Sequence, residues 1–181
     1  MQDETGPKPA LDADTLAFAA KVFGYARVGL HDELGELLGM GLPANLRNEK
    51  GDSLLMLACY HGHAATAAVI LDHGGDPELA NDRGQTPLAA AAFKGDEACV
   101  RLLLARGARV DGGAPGGHTA LMTAAMFNRA DIAALLLAHG ADPARRDAGG
   151  LDAEALARRM GAEDTPDLLA QAARGGSGTD Q

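Results

Sequence analysis

Apolar residues recur along this chain in two alternating patterns. Short apolar clusters fall at Val69-Ile70-Leu71, Leu102-Leu103-Leu104 and Leu135-Leu136-Leu137, each followed within a few residues by a glycine. Between them lie small-residue pairs at 58–59, 91–92 and 124–125 (Ala-Cys, Ala-Ala, Ala-Ala), which let neighbouring helices approach closely. The lengths and spacings predict short helices joined by turns rather than strands. An earlier stretch, Asp12 to Arg27, carries Leu16, Phe18, Ala19, Val22, Phe23 and Ala26 at helical spacing. It predicts a longer helix, followed by a second one over 30–40 that ends at Gly41.

The pattern repeats. Gly51, Gly84, Gly117 and Gly150 are 33 residues apart, as are Gly41, Gly74, Gly107 and Gly140, and Ala58, Ala91, Ala124 and Ala157. Asn48, Asn81 and Asp147 stand three residues before a repeated glycine, where an Asx side chain starts a tight turn. Two residues past that glycine come Ser53, Thr86, Thr119 and Asp152, all residues that cap a helix by accepting a backbone N–H. Pro87 takes the first helical position, where its missing N–H costs nothing. The capped helices stop near Gly62, Gly95, Asn128 and Gly161, Asn being the usual substitute for Gly at a left-handed stop. Each unit is thus a turn, a short helix, a turn and a slightly longer helix, and buries its apolar face only by stacking on the next.

These residues resemble the ankyrin repeat. Gly84-Gln-Thr-Pro-Leu88, Ala90-Ala91-Ala92 and Leu102-Leu-Leu-Ala-Arg-Gly-Ala108 form the best-preserved copy, and Gly150-Leu-Asp152 with Leu168-Leu169 extends the likeness to a fifth, worn one. The resemblance implies an all-α solenoid of stacked helix-turn-helix repeats with hairpin turns, over 12–173. The repeats fall at 12–47, 48–80, 81–113, 114–146 and 147–173, with irregular capping copies at both ends and disordered tails at 1–11 and 174–181. The chain departs from the family at Met56, Ala89, Met122 and Ala155, where a turn-bracing His usually follows Thr-Pro-Leu. Arg158 replaces a small residue, as a solvated terminal copy allows.

Composition narrows the function. The formal charge is −9, from 25 acidic and 16 basic residues, and this disfavours general nucleic-acid binding, which depends on accumulated Lys and Arg. No apolar run approaches the roughly 18 residues that span a bilayer. The N-terminus opens acidic, with no basic-then-apolar leader pattern, so a soluble, cytoplasmic monomer is expected. Arg outnumbers Lys twelve to four amid abundant Ala and Gly, which suggests a GC-rich, bacterial genome.

Several chemical-looking features carry no chemistry in this frame. Gly112 to Thr119 spells a phosphate-loop pattern with His118 where Lys belongs, and no buried strand leads into it, so it reads as a glycine-rich hairpin tip. His61, His63 and His73 fall on different segments of the stack, and His73 and His139 suit helix ends. Cys59 and Cys99 read as buried fillers. No metalloprotease or serine-hydrolase motif is present, so no enzyme, metal or cofactor is expected.

The resemblance also implies a binding face: the concave side, made of turn tips and the inner ends of the first helices. Period arithmetic places there Arg27, Arg47, Lys50, Tyr60, His61, Arg83, Gln85, Phe93, Lys94, His118, Met126, Phe127, Arg146 and Arg159. Three of the chain's six aromatic rings sit among them, and rings and Met are enriched in interface cores. Seven basic groups against three acidic ones (Glu49, Asp52, Asp82) would steer an acidic protein partner to this side. The alternative is nucleic acid bound along the same groove.

Overall fold

The computed structural model describes residues 12–175, and the tail expected at 1–11 lies outside them, as does 176–181 of the second tail. The described residues form ten helices in five antiparallel pairs: α1 (Ala13–Val28) with α2 (His31–Gly39), α3 (Leu54–His61) with α4 (Ala64–Asp72), α5 (Pro87–Lys94) with α6 (Glu97–Ala105), α7 (Ala120–Met126) with α8 (Ala130–Ala138), and α9 (Ala153–Met160) with α10 (Thr165–Gly175). The last helix runs two residues past the expected boundary at 173. Odd-numbered helices pack side by side in one layer and even-numbered helices behind them in a second. The sequence reading of an all-α stack is what the molecule shows.

Each inner helix starts as its cap residue dictates. Ser53, Thr86, Thr119 and Asp152 have extended backbones, and their side chains accept the N–H of Met56, Ala89, Met122 and Ala155. Three of these helices stop at Gly62, Gly95 and Gly161 with φ between 74° and 79°. In the fourth, Asn128 takes the left-handed position at φ 52°, the sole non-glycine with positive φ among the described residues. One departure from the family is compensated locally: the Met122 sulfur accepts the N–H of Thr119 at 3.5 Å, standing in for a turn-bracing imidazole.

The small residues at 58, 91, 124 and 157 are completely buried. Their lack of bulk lets the inner helices approach to the roughly 8–10 Å of close helix pairs. Leu55, Leu88 and Leu121 from this layer meet Ile70, Leu103 and Leu136 from the outer one, all 1% exposed or less. Cys59 and Cys99 are buried in the same core. Contact with Cys99, then burial, holds the Cys59 thiol well above the usual 9.0, so it stays protonated and inert.

Behind the core, polar side chains tie the first four repeats together. Asn45 accepts the N–H of Asp76 at 2.8 Å, Glu78 that of Arg109 at 2.8 Å, and Asp111 that of Asp142 at 3.1 Å. Donors and acceptors both advance by 33 residues. Ion pairs Arg106–Asp72 (2.6 Å) and Arg109–Glu78 (2.7 Å) reinforce this outer side.

Candidate interaction surface

The turns before the inner helices project as hairpins, built on the Asx geometry anticipated above. The Asn48 side-chain oxygen accepts the N–H groups of Lys50 and Asp52, Asn81 those of Arg83 and Gln85, and Asp147 those of Gly149 and Leu151, all at 2.9–3.0 Å. The Leu151 and Gly149 N–H groups, with help from His118 at 3.3 Å, hold the Asp147 carboxyl below its ordinary 3.8.

Adjacent tips join through their backbones. Asp82 N–H donates to the Lys50 carbonyl at 3.3 Å, and Ala148 N–H to the Gly116 carbonyl at 2.8 Å. The corresponding donor between the two middle hairpins falls on Pro115, which has no N–H. The hairpin at 114–118 is also the least braced, because Ala114 stands where its counterparts have Asn or Asp.

Hairpins and inner helices enclose an open cleft of about 560 Å³ across repeats 1 to 4. Ten of the fourteen residues named from the sequence line it: Arg27, Lys50, Tyr60, His61, Arg83, Gln85, Phe93, His118, Met126 and Phe127. The other four do not. Arg47 donates to the Gly51 carbonyl at 2.9 Å and pairs with Asp82 at 2.9 Å; Arg146 likewise donates to the Gly150 carbonyl at 2.7 Å and lies 3.6 Å from Asp152. Arg146 braces its own hairpin, and Arg47 braces its own and ties it to the next. Lys94 lies over Gly62 at the cleft's edge, and Arg159 stands exposed on the last repeat.

Along the cleft floor runs a row of rings. Tyr60 stacks on Phe93 with centroids 5.1 Å apart and planes 11° from parallel, and Phe93 meets Phe127 edge-on at 4.6 Å. Period arithmetic puts Met126 in register with Tyr60 and Phe93, yet the ring contact comes from Phe127, one residue on. Helix α7 ends at Met126, and Asn128 turns the chain just beyond it. Met126 packs partly buried against the core. Tyr60 keeps 44% of its surface exposed and Phe127 41%, so the row faces solvent while bracing itself.

The cations of the cleft lack the ion pairs that several arginines elsewhere make. Arg101, Arg106, Arg109 and Arg158, all outside it, are each paired with a carboxylate. Arg27, Lys50, Arg83 and Lys94 form no ion pair with any described residue. Loss of solvent, then the charges of His63, Arg27 and Lys94, push the His61 imidazole below 6.5. The lining thus sets Arg27, Lys50 and Arg83 against Glu49 and Asp52, a small positive excess, with Lys94 at the rim. Three of the histidines singled out in sequence serve as braces: His63 bonds the Arg27 carbonyl at 2.9 Å, and His73 and His139 each bond the carbonyl four residues back at 2.8 Å. No described helix is long and apolar enough to cross a membrane.

Sequence reasoning missed the bracing roles of Arg47 and Arg146, whose signal was their shared position four residues before a turn glycine. It also missed Asn128 as an inter-repeat clamp. Its oxygen accepts the N–H of Asp164 (2.9 Å) and of Thr165 (3.2 Å), and its amide donates to the Asp164 carboxylate at 2.9 Å. An Asn where sister repeats keep Gly was the available hint.

Comparison with known proteins agrees with this geometry. The family described as "Ankyrin repeats (3 copies)" matches residues 18–114 and 55–147. A Pseudomonas aeruginosa protein named as an ankyrin repeat protein, PA3287, is 58% identical over 60 residues, covering 33% of this chain and 35% of that one. The aligned part is thus about a third of the relative's length. With five stacked helix pairs, Asx-started hairpins and a family match across most of its length, the chain belongs to the ankyrin-repeat family.

Proposed function

We propose that this chain is a non-catalytic adaptor, scaffold or inhibitor that holds an acidic protein partner in its concave cleft. Ankyrin repeats generally serve as protein–protein interaction modules, which makes a protein the natural occupant. The observation that carries the reading is the solvent-facing ring row of Tyr60, Phe93 and Phe127, set among cations that lack internal partners. Exposed rings supply interface energy. Unpaired cations steer and select acidic surfaces.

Tyr60→Ala with Phe93→Ala tests it. The double variant should lose partner capture in affinity purification beside the wild type. It should cost only the roughly 0.5–1.5 kcal/mol of an aromatic pair plus modest burial. Leu103→Ala, at a site with no exposure, should instead cost about 2–5 kcal/mol and leave capture intact below its melting point. Equal destabilisation by both, with capture unchanged in the ring variant, would make the rings packing residues and remove the docking surface.

A further inference from the structure

The cleft has two chemically different ends. Over repeats 1 to 3 it presents the cations Arg27, Lys50 and Arg83, with His61 beside them and Lys94 at the rim. Two acids, Glu49 and Asp52, share that end, the Asp52 carboxylate accepting the Asn81 amide at 2.8 Å, so with Lys94 at the rim four cations face two carboxylates. Over repeat 4 the lining changes to Thr123, Met126 and Phe127 with His118, and carries no formal charge with His neutral. A ligand of uniform charge suits one end only. A nucleic-acid strand, with a phosphate at every residue, would need cations continuing along the whole floor, and here they stop at Lys94.

Resting on the reading above, we propose that the occupant is an extended, bipartite peptide segment: carboxylates over the Arg27–Lys94 end, and one aliphatic or aromatic side chain seated against Phe127 and Met126. The spacing follows from the stack. Inner helices about 10 Å apart and an extended chain advancing about 3.3 Å per residue give about three ligand residues per repeat. A carboxylate facing Lys94 in repeat 3 therefore lies about three residues from the apolar anchor, and one facing His61 in repeat 2 about six. The anchor covers the exposed edge of Phe127, and the carboxylates supply the counter-charges the protein withholds from Arg27 and Lys94. Their arrival also favours protonation of His61, so affinity rises as pH falls from 7.5 toward 6.

The test is selection from a phage-displayed library of random peptides of about twelve residues against the intact chain. Selected sequences are then measured as synthetic peptides by fluorescence anisotropy, with single-stranded oligo-dT of similar length as a parallel probe. Selected peptides should carry Asp or Glu about three and six residues from a Leu, Ile, Phe or Trp. Arg27→Glu with Lys94→Glu should weaken them at least tenfold, as should Phe127→Ala; all three positions are exposed or rim residues, and circular dichroism confirms that the variants fold. Arg159→Ala, outside the cleft, should leave affinity within about twofold. Selected peptides without acids, or a charge reversal that changes affinity less than about twofold, overturns the bipartite ligand. The cleft reading then survives if Tyr60→Ala with Phe93→Ala still abolishes binding. Acidic peptides bound equally well by that ring variant sink both. An empty selection, or oligo-dT binding more tightly than any selected peptide, overturns the proposal.

Discussion

Asn128 does two jobs that can be separated by substitution. It supplies the left-handed residue that ends the inner helix of repeat 4, at φ 52°, and it caps the head of α10 from 36 residues away. Asn128→Gly keeps the backbone conformation at lower strain but removes the three shorter bonds to Asp164 and Thr165, and a longer fourth from the Thr165 hydroxyl at 3.5 Å. At about 0.5–1.5 kcal/mol net per bond, reduced for a half-exposed site, the loss is roughly 1.5–3 kcal/mol. Relief of left-handed strain returns about 0.5 kcal/mol, leaving Asn128→Gly about 1–2.5 kcal/mol less stable. Asn128→Ala adds about 1 kcal/mol for a β-carbon at positive φ, so its loss approaches 2–3.5 kcal/mol. Urea unfolding followed by circular dichroism gives both values, and amide exchange locates them: Thr165 and the first turn of α10 should exchange faster while α5 is unchanged. An Asn128→Gly protein as stable as the wild type would refute the clamp and reduce Asn128 to a glycine substitute.

Two further outcomes follow from the hairpins. The Asp147 carboxyl is held below 3.8 in the folded protein, so its stabilising effect is present above that value and is lost as pH falls through the depressed folded pKa. Asp147→Asn keeps both accepted bonds, as Asn48 and Asn81 do in their repeats, so acid titration should unfold the wild type before the variant, and Leu151 amide exchange should lose its acid sensitivity. In the under-braced hairpin, Ala114→Asn with Pro115→Ala should add two side-chain bonds and one between tips. After about 0.4–1 kcal/mol is given back as unfolded-chain entropy, the gain should be about 1 kcal/mol, read as a higher melting temperature; an unchanged or lower one would contradict the bonding pattern.

The fold was legible because its determinants are local and periodic. Ser53, Thr86, Thr119 and Asp152 cap from within their own turns, and alanines 33 residues apart mark the close approach of inner helices. What stayed hidden was the destination of side chains that act across repeats. Asn45, Glu78 and Asp111 keep the same period, yet they differ in residue type and look like ordinary surface residues until the next repeat's N–H is seen 2.8–3.1 Å away. Arg47 and Arg146 were indistinguishable from Arg27 and Arg83 as charges on one face; only geometry shows that the first two are already engaged. The ring row was legible except for its last member, because a helix ending one residue early moves the contact from Met126 to Phe127.

Pro115 leaves a mark on its neighbour as well as on its own turn. With no donor opposite, the Arg83 carbonyl accepts no backbone hydrogen bond from any described residue, and it belongs to a residue that lines the cleft. A visiting strand could satisfy it with its own amide hydrogen, filling the one rung the protein cannot build and stitching the two halves of the fingertip row across the gap. The seam would then close on occupancy, and the molecule would be stiffest when its guest is aboard.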